Sequence, residues 1–109
     1  MNTQQKDSIW LDEHHQVSMD ELIELSGLSI KELQNLLESG VLIPNNKEEA
    51  IWHFNSHYLV SIRTLSRLKQ DFELEPNAFA LTLVFLERIR TLEFELRGLA
   101  HANSHVPAL

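Results

Sequence analysis

The sequence predicts a mainly α-helical domain: a winged helix-turn-helix with a small β-hairpin wing and a long C-terminal helix. Two short amphipathic segments, each preceded by a capping serine, are joined at Gly27, which is the layout of a helix-turn-helix. Strand-forming residues flank a polar turn within residues 41–54, a pattern typical of a hairpin. After Pro76, apolar residues recur at helical spacing as far as Leu99, which indicates one long helix.

The chain has 109 residues, of which 43% are hydrophobic and 23% charged, a composition typical of one globular domain. We place that domain at residues 8–99 and expect flexible termini at 1–7 and 100–109. There is no cysteine, the first residues carry no apolar signal segment, and the longest mostly apolar run, Ala78 to Leu86, is too short to cross a bilayer. We therefore expect a cytoplasmic protein without membrane contact.

The first two helices are marked by their caps. Ser18 is followed three residues later by Glu21, and Ser29 by Glu32, so that each pair forms a capping box. Gly27 ends the first helix and supplies the turn. The apolar residues at helical spacing are Met19, Leu22, Ile23 and Leu25 in the first helix, and Ile30, Leu33, Leu36 and Leu37 in the second.

The wing is predicted between the second and third helices. Residues 41–44 leave the second helix, residues 45–49 are polar, and residues 50–54 return with strand-forming side chains. Pro44 suits an edge position because proline lacks the N–H that a central strand must donate. Residues 8–11 carry a weaker strand pattern.

The third helix is expected to begin at a cap on Asn55 or Ser56 and to end before Pro76, because the residue ahead of a proline disfavours helix. Pro76 suits the first turn of the next helix. We place that fourth helix at about residues 76–98, with its end near Gly98.

The fourth helix carries two apolar stripes. Phe79, Leu83 and Leu86 form one stripe, which we assign to the core. The second alternates spacings of three and four residues, which is typical of a coiled-coil contact between two chains. It predicts a homodimer, unless the stripe packs on the third helix of the same chain. The second stripe consists of Ala78, Thr82, Phe85, Ile89, Leu92, Leu96 and Leu99, and the last five are the predicted dimer interface.

The net charge of −7 lies entirely in one half of the chain. Residues 1–49 hold ten acidic and three basic residues, whereas residues 50–109 hold six of each. Proteins that bind duplex DNA usually present a basic surface to the phosphates. An acidic helix-turn-helix therefore favours a basic protein partner over direct binding of nucleic acid.

DNA binding nevertheless stays open as an alternative. Lys31, Gln34 and Asn35 of the second helix have side chains that read base edges. Against this, Glu32 and Glu38 would face phosphates, and residues 48–49 of the wing are both glutamates. The third helix holds a basic cluster, Arg63, Arg67 and Lys69, which could instead form salt bridges within the domain.

No catalytic residue, cofactor site or metal site is predicted. The carboxylates lie on the outer faces of short helices, where they are solvated rather than converging in a pocket. The histidines spaced four apart, His53 with His57 and His101 with His105, are too few for a zinc site, which needs three or four ligands. There is no glycine-rich phosphate loop and no nucleophile motif, so we expect a protein that is not an enzyme.

Two stretches resemble known families. Residues 18–44 resemble the helix-turn-helix of MerR-type regulators through Leu25-Ser26-Gly27-Leu28-Ser29 and Glu38-Ser39-Gly40-Val41-Leu42-Ile43-Pro44. That family usually has an arginine early in the second helix and a basic wing, where this chain has Glu32-Leu33-Gln34 and Glu48-Glu49-Ala50-Ile51-Trp52. A longer pattern over residues 8–99 is similar to the CbpM family, which has a MerR-like fold. Its motifs are Trp52-His53-Phe54, Arg67-Leu68-Lys69-Gln70-Asp71-Phe72, Ala80-Leu81-Thr82-Leu83 and Ile89-Arg90-Thr91-Leu92.

The second resemblance implies a chaperone modulator. CbpM-like proteins bind the J-domain of the CbpA co-chaperone, a DnaJ homologue, block its stimulation of DnaK and reduce its DNA binding. They have no catalytic residues and no cofactor. Because J-domains present a basic helix, we expect acids of the N-terminal half to contact it. These predicted partner-binding residues are Asp20, Glu21, Glu24, Glu32 and Glu38. The alternative function is a MerR-like DNA-binding transcriptional regulator.

Overall fold

The computed structural model describes the backbone of residues 15–103 and the side chains of residues 15–100. In chain order the elements are strand β1 (Gln16–Ser18), helices α1 (Met19–Leu25) and α2 (Ile30–Glu38), strand β2 (His53–Asn55), helix α3 (His57–Phe72), a 3-10 turn (Pro76–Ala78) and helix α4 (Phe79–Asn103). The mainly helical fold with one antiparallel strand pair and a long C-terminal helix is confirmed. The termini were predicted to be flexible at 1–7 and 100–109, but residues 100–103 belong to helix α4. Residues 1–7, the strand pattern at 8–11 and residues 104–109 lie outside the described residues, and the side chains of the His101–His105 pair are not described either.

Both capping boxes form as predicted. Ser18 Oγ accepts a hydrogen bond from the Glu21 N–H, and Ser29 Oγ accepts one from the Glu32 N–H, each at 3.1 Å. The two short helices therefore begin where local side-chain hydrogen bonds satisfy their free N–H groups. Gly27 has φ +89°, a left-handed conformation that turns the chain between α1 and α2.

The strand pairing differs from the predicted hairpin. β2 pairs with β1, which precedes the first helix, in antiparallel register with Val17 opposite Phe54. Both side chains are fully buried, and burial of this pair explains why a distant partner is chosen over residues 41–44. One bond of the predicted hairpin is present, since the Asn45 N–H donates to the His53 carbonyl at 2.8 Å.

The loop of residues 41–52 between α2 and β2 forms the wing, and Asn46 organises it. The Asn46 Oδ1 accepts from the His53 N–H at 2.8 Å, and its Nδ2 donates to the Glu49 Oε1 at 2.6 Å. A second bond from Nδ2 reaches the Ile51 carbonyl. The polar segment predicted as a turn is therefore a turn closed by an asparagine side chain.

The third and fourth helices form the body of the domain. α3 begins after Ser56, and the Asn55 side chain accepts a hydrogen bond from the His57 N–H at 3.2 Å. The helix α3 ends at Phe72, and the next residue, Glu73, has a left-handed φ of +53°. α4 extends beyond the predicted end at Gly98, to Asn103. The helices α3 and α4 pack along each other, while α1 contacts α3 and α2 contacts α4.

One apolar core joins all of these elements. Phe79 and Leu83 are the α4 side chains buried in it, with Leu86 partly buried beside them, as predicted for the first stripe. Burial of about twelve such side chains is the main favourable term for folding of a small domain. The buried apolar residues are Val17, Leu22, Leu28, Leu33, Leu36, Leu42, Phe54, Leu59, Ile62, Leu65, Phe79 and Leu83.

Candidate partner-binding surfaces

Two of the five predicted partner-binding acids have structural roles. The Glu21 carboxylate accepts a hydrogen bond from the Ser18 N–H at 2.8 Å, and the Glu32 carboxylate accepts one from the Ser29 N–H at 2.9 Å. Each closes the capping box of its helix. Substitution of either would therefore weaken a helix start as well as any contact with a partner.

Glu32 also holds the second helix to the third. Its carboxylate lies 2.8 Å from Lys69 Nζ. Burial raises the pKa of this carboxyl group, but the hydrogen bonds from Lys69 and Ser29 outweigh it and leave the pKa below its usual value. The Glu32 carboxylate is thus ionised and paired within the domain. Lys69 is paired with it, which leaves Arg63 and Arg67 as the remaining members of the basic cluster of the third helix.

The other three predicted acids are exposed. Asp20 and Glu24 lie four residues apart on α1, so they share one face of that helix, and Glu38 lies at the end of α2. Within the part of the chain that the structure describes, these carboxylates have no hydrogen bond or ion pair. They are therefore free to attract a cationic partner, unlike Glu21 and Glu32.

The predicted dimer stripe of α4 is exposed along its whole length. Phe85 is 58% exposed, Ile89 50%, Leu92 41%, Leu96 64% and Leu99 61%. At about 100° per residue, the stripe lies roughly opposite the face that enters the core. The third helix of the same chain does not cover it, so the intrachain explanation considered for these residues is wrong.

A polar cluster between α3 and α4 was not predicted. Glu87 faces His57, whose Nδ1 lies 2.8 Å from Glu87 Oε1, and it accepts a hydrogen bond from the Ser61 hydroxyl. Arg90 Nε lies 3.7 Å from the same carboxylate. Burial raises the pKa of Glu87, but the hydrogen bonds and charges of these neighbours outweigh it and hold the pKa below its usual value.

A sequence signal for this cluster exists. Glu87 comes four residues after the buried Leu83, and residues four apart lie on the same face of a helix. A carboxylate at such a position requires partners in the packed structure. The distant residues that supply them, His57 and Ser61, cannot be chosen without the packing of α3 on α4.

The residues considered for DNA contact remain exposed. Lys31, Gln34 and Asn35 lie at the surface of α2, and Arg63 and Arg67 at that of α3. Glu38 is exposed at the end of the same α2 helix. The helix that would enter the major groove thus places a free carboxylate beside its few base-reading side chains, which opposes approach to phosphates.

Neither a membrane-spanning helix nor a metal cluster occurs in the described structure. Over residues 15–103, no helix combines the length and apolarity that crossing a bilayer requires. The described side chains, those of residues 15–100, bring together no group of three or more potential metal ligands. His53 contacts Asn46 and His57 contacts Glu87, so these two histidines serve different neighbours.

Comparison with known proteins places the chain in a family. Residues 17–101 match the family described as MerR HTH family regulatory protein. The chain is 33% identical over 72 residues to the chaperone modulatory protein CbpM of Citrobacter koseri, covering 66% of this chain and 71% of that protein. It is 28% identical over 83 residues to the CbpM of Escherichia coli, covering 76% and 82%. The chain therefore belongs to the CbpM family and has its MerR-like helix-turn-helix domain.

Proposed function

We propose that this protein is a non-enzymatic chaperone modulator of the cytoplasm. It binds the J-domain of a CbpA- or DnaJ-type co-chaperone, inhibits that protein's stimulation of DnaK, and inhibits its DNA binding. The observation that carries this proposal is the similarity over most of the chain to proteins named chaperone modulatory protein CbpM. The acidic helix-turn-helix surface supports it independently.

The physical basis is charge complementarity. The free carboxylates of Asp20, Glu24 and Glu38 lie on the two short helices, and a J-domain presents a basic helix to DnaK. An acidic surface attracts such a helix at long range and orients it on contact. Because DnaK would need the same basic helix, a bound modulator competes with it. Glu21 and Glu32 contribute to the field of this surface, but their carboxylates are held by capping N–H groups.

The protein acts as a homodimer in this proposal. The interface is the exposed α4 stripe, whose heptad spacing suits a two-chain contact. Exposed apolar stripes of this length are unfavourable in water and are usually covered by a partner. The interface residues are Phe85, Ile89, Leu92, Leu96 and Leu99.

The decisive experiment is calorimetric titration of the protein into a purified CbpA-type J-domain from the same cell, at two salt concentrations. Binding should saturate and should weaken as salt screens the charges. The triple variant Asp20→Lys, Glu24→Lys and Glu38→Lys should bind at least about tenfold more weakly, with a smaller salt dependence. Absence of binding by the unaltered protein would refute the proposal.

A charge-matched control separates the effect of where the acidic residues lie from the effect of the protein's net charge. The variant Asp71→Lys, Glu73→Lys and Glu75→Lys changes the same number of exposed acids, at the end of α3 and in the loop that follows it. It should retain J-domain affinity within a few-fold, because these acids belong to the end of α3 and the following loop and not to α1 or α2. Equal weakening by both triple variants would show that total charge, rather than the helix-turn-helix surface, governs binding.

A DNA-binding transcriptional regulator is the second candidate function. The MerR family match and the exposed Lys31, Gln34 and Asn35 favour it. We expect no retention on duplex DNA at the salt concentration at which the J-domain binds, because the nearby carboxylates oppose the phosphates. Retention on DNA without J-domain binding would reverse the order of the two candidates.

A further inference from the structure

The wing exposes an apolar patch that the domain does not use for its own core. Ile51 is 69% exposed, Ile43 47% and Trp52 36%, and we call these three residues the wing patch. Large apolar side chains grouped on one loop mark a contact surface more often than scattered ones do. Within the described structure, these three side chains are not part of the buried core.

The wing patch is held in place before any partner arrives. The Trp52 indole Nε1–H donates to the Lys47 carbonyl at 3.3 Å, and Asn46 bonds to the backbone of both Ile51 and His53. An aromatic side chain fixed in this way loses little conformational entropy on binding and is the usual anchor of a protein interface.

Trp52 separates two shallow hollows. One, of ≈ 370 Å³, is lined by Met19, Asp20 and Ile51 among others. The second, of ≈ 330 Å³, is lined by Leu37 and Pro44 among others. Each hollow is walled mainly by apolar side chains and has room for side chains of a partner. Trp52 therefore borders two receiving sites, one beside α1 and one beside the end of α2.

Acidic residues line one hollow or are adjacent in sequence to residues that line the two hollows. Asp20 lines the first hollow, Glu38 follows the Leu37 that lines the second, and residues 48–49 of the same loop are exposed glutamates. Lys47 is the one cation among the residues that line either hollow. An apolar anchor with an acidic rim fits an amphipathic partner whose apolar side chains are flanked by lysine or arginine.

We propose that the wing patch is the apolar anchor for a cationic amphipathic helix of the J-domain, an inference that rests on the function proposed above. Apolar side chains of that helix enter the two hollows on either side of Trp52. Its cations face Asp20, Glu38 and the wing glutamates. Charge thus provides attraction and orientation, while the wing patch provides most of the affinity.

A second copy of this chain is the less suitable occupant. In a symmetric dimer the same surface meets itself, so contact through the wing patch would place the acids around one Trp52 against those around the other. Such like-charge contacts are unfavourable. The chain already has an exposed stripe for self-association on α4, where acids do not surround the apolar residues in this way.

The test compares full-length variants in the J-domain titration. Trp52→Ala should weaken binding by about 30-fold or more, the effect typical of an interface anchor. Ile51→Ser, at a position too exposed to affect folding, should weaken it by about fivefold or more. The matched control Phe72→Ala removes a 74% exposed aromatic residue at the end of α3 and should leave affinity unchanged. Circular dichroism and thermal melting confirm that each variant is folded.

The outcomes distinguish this inference from the proposed function. If the unaltered protein binds the J-domain and the Trp52 and Ile51 variants bind equally well, the wing patch is not the anchor, although the function stands. If the unaltered protein does not bind, both proposals fail. Unchanged J-domain affinity combined with a lower mass by light scattering would assign the wing patch to a second copy. Unchanged affinity with lost retention on duplex DNA would assign it to nucleic acid, and either result overturns the inference.

Discussion

Replacing Ile89 and Leu96 by alanine removes two side chains from the centre of the exposed α4 stripe without touching the core. Both residues occupy the same position of successive heptads in that stripe, where side chains of two paired helices interlock. Alanine has the highest helix propensity, so α4 remains helical. The change therefore tests self-association separately from folding.

The expected loss follows from the exposed fractions. Isoleucine and leucine have about three more carbons than alanine. Complete burial of these carbons contributes about 2.4 kcal/mol, at ~0.8 kcal/mol per carbon. Ile89 is 50% exposed and Leu96 64% exposed, so that burial of the exposed part contributes about 1.2 and 1.5 kcal/mol. Each residue occurs twice in a dimer, so the double variant loses about 5 kcal/mol of dimerisation free energy. This loss raises the Kd of the dimer by roughly three to four orders of magnitude.

Sedimentation equilibrium at micromolar concentrations measures this change. We expect a dimer for the unaltered protein and a monomer for the double variant. The control is Val84→Ala, which removes a 44% exposed apolar side chain from a different face of the same helix and should leave the dimer intact. A monomeric unaltered protein, or a double variant that dimerises equally well, would refute the assignment of this stripe to a second copy.

Two further predictions concern the fold. Because folding lowers the pKa of Glu87, its ionised form stabilises the domain at neutral pH, and that contribution is lost as the pH falls below the usual value of 4.5. The melting temperature should therefore fall more steeply on acidification for the unaltered protein than for Glu87→Gln, and parallel curves would contradict the role of this cluster. Gly27→Ala should lower the free energy of unfolding by more than the ~1–2 kcal/mol of a left-handed alanine, because φ is +89° and a Cβ there would collide with Ser66. The matched variant Gly40→Ala, with φ +79° and open space around it, should show only the conformational cost when the free energy of unfolding is measured in urea. Equal losses of unfolding free energy in the two variants would show that Ser66 moves aside.

The helix starts and the exposed α4 stripe could be predicted because they depend on short spacings. A capping box joins residues three apart, as in Ser18 with Glu21, and heptad spacing needs only the helix that carries it. The family resemblance was carried by the order of such local motifs over residues 8–99. The assignment to the CbpM family is confirmed by the comparisons, while the partner and dimer interfaces remain predictions.

The strand pairing and the occupied acids could not be predicted in this way. Residues 41–44 have strand-forming character, yet β2 pairs with β1 because Val17 opposite Phe54 completes the core. Glu32 looked like a free acid on a short helix, but Lys69 from α3 lies 2.8 Å away. Both outcomes depend on residues that are far apart in the chain and meet only after packing.

The amino-acid sequence alone thus specifies the helices, their caps, the unequal distribution of charge and the family to which the chain belongs. Each of these depends on residue types or on residues only a few positions apart in the chain. Packing determines which carboxylates remain free, which acid is enclosed between α3 and α4, and where the apolar surface emerges. Trp52 illustrates both contributions. The strand-forming residues around it are evident from the sequence. Its position between two hollows with an acidic rim arises only when α1, α2 and the wing come together, since long-range contacts set the shape of a surface.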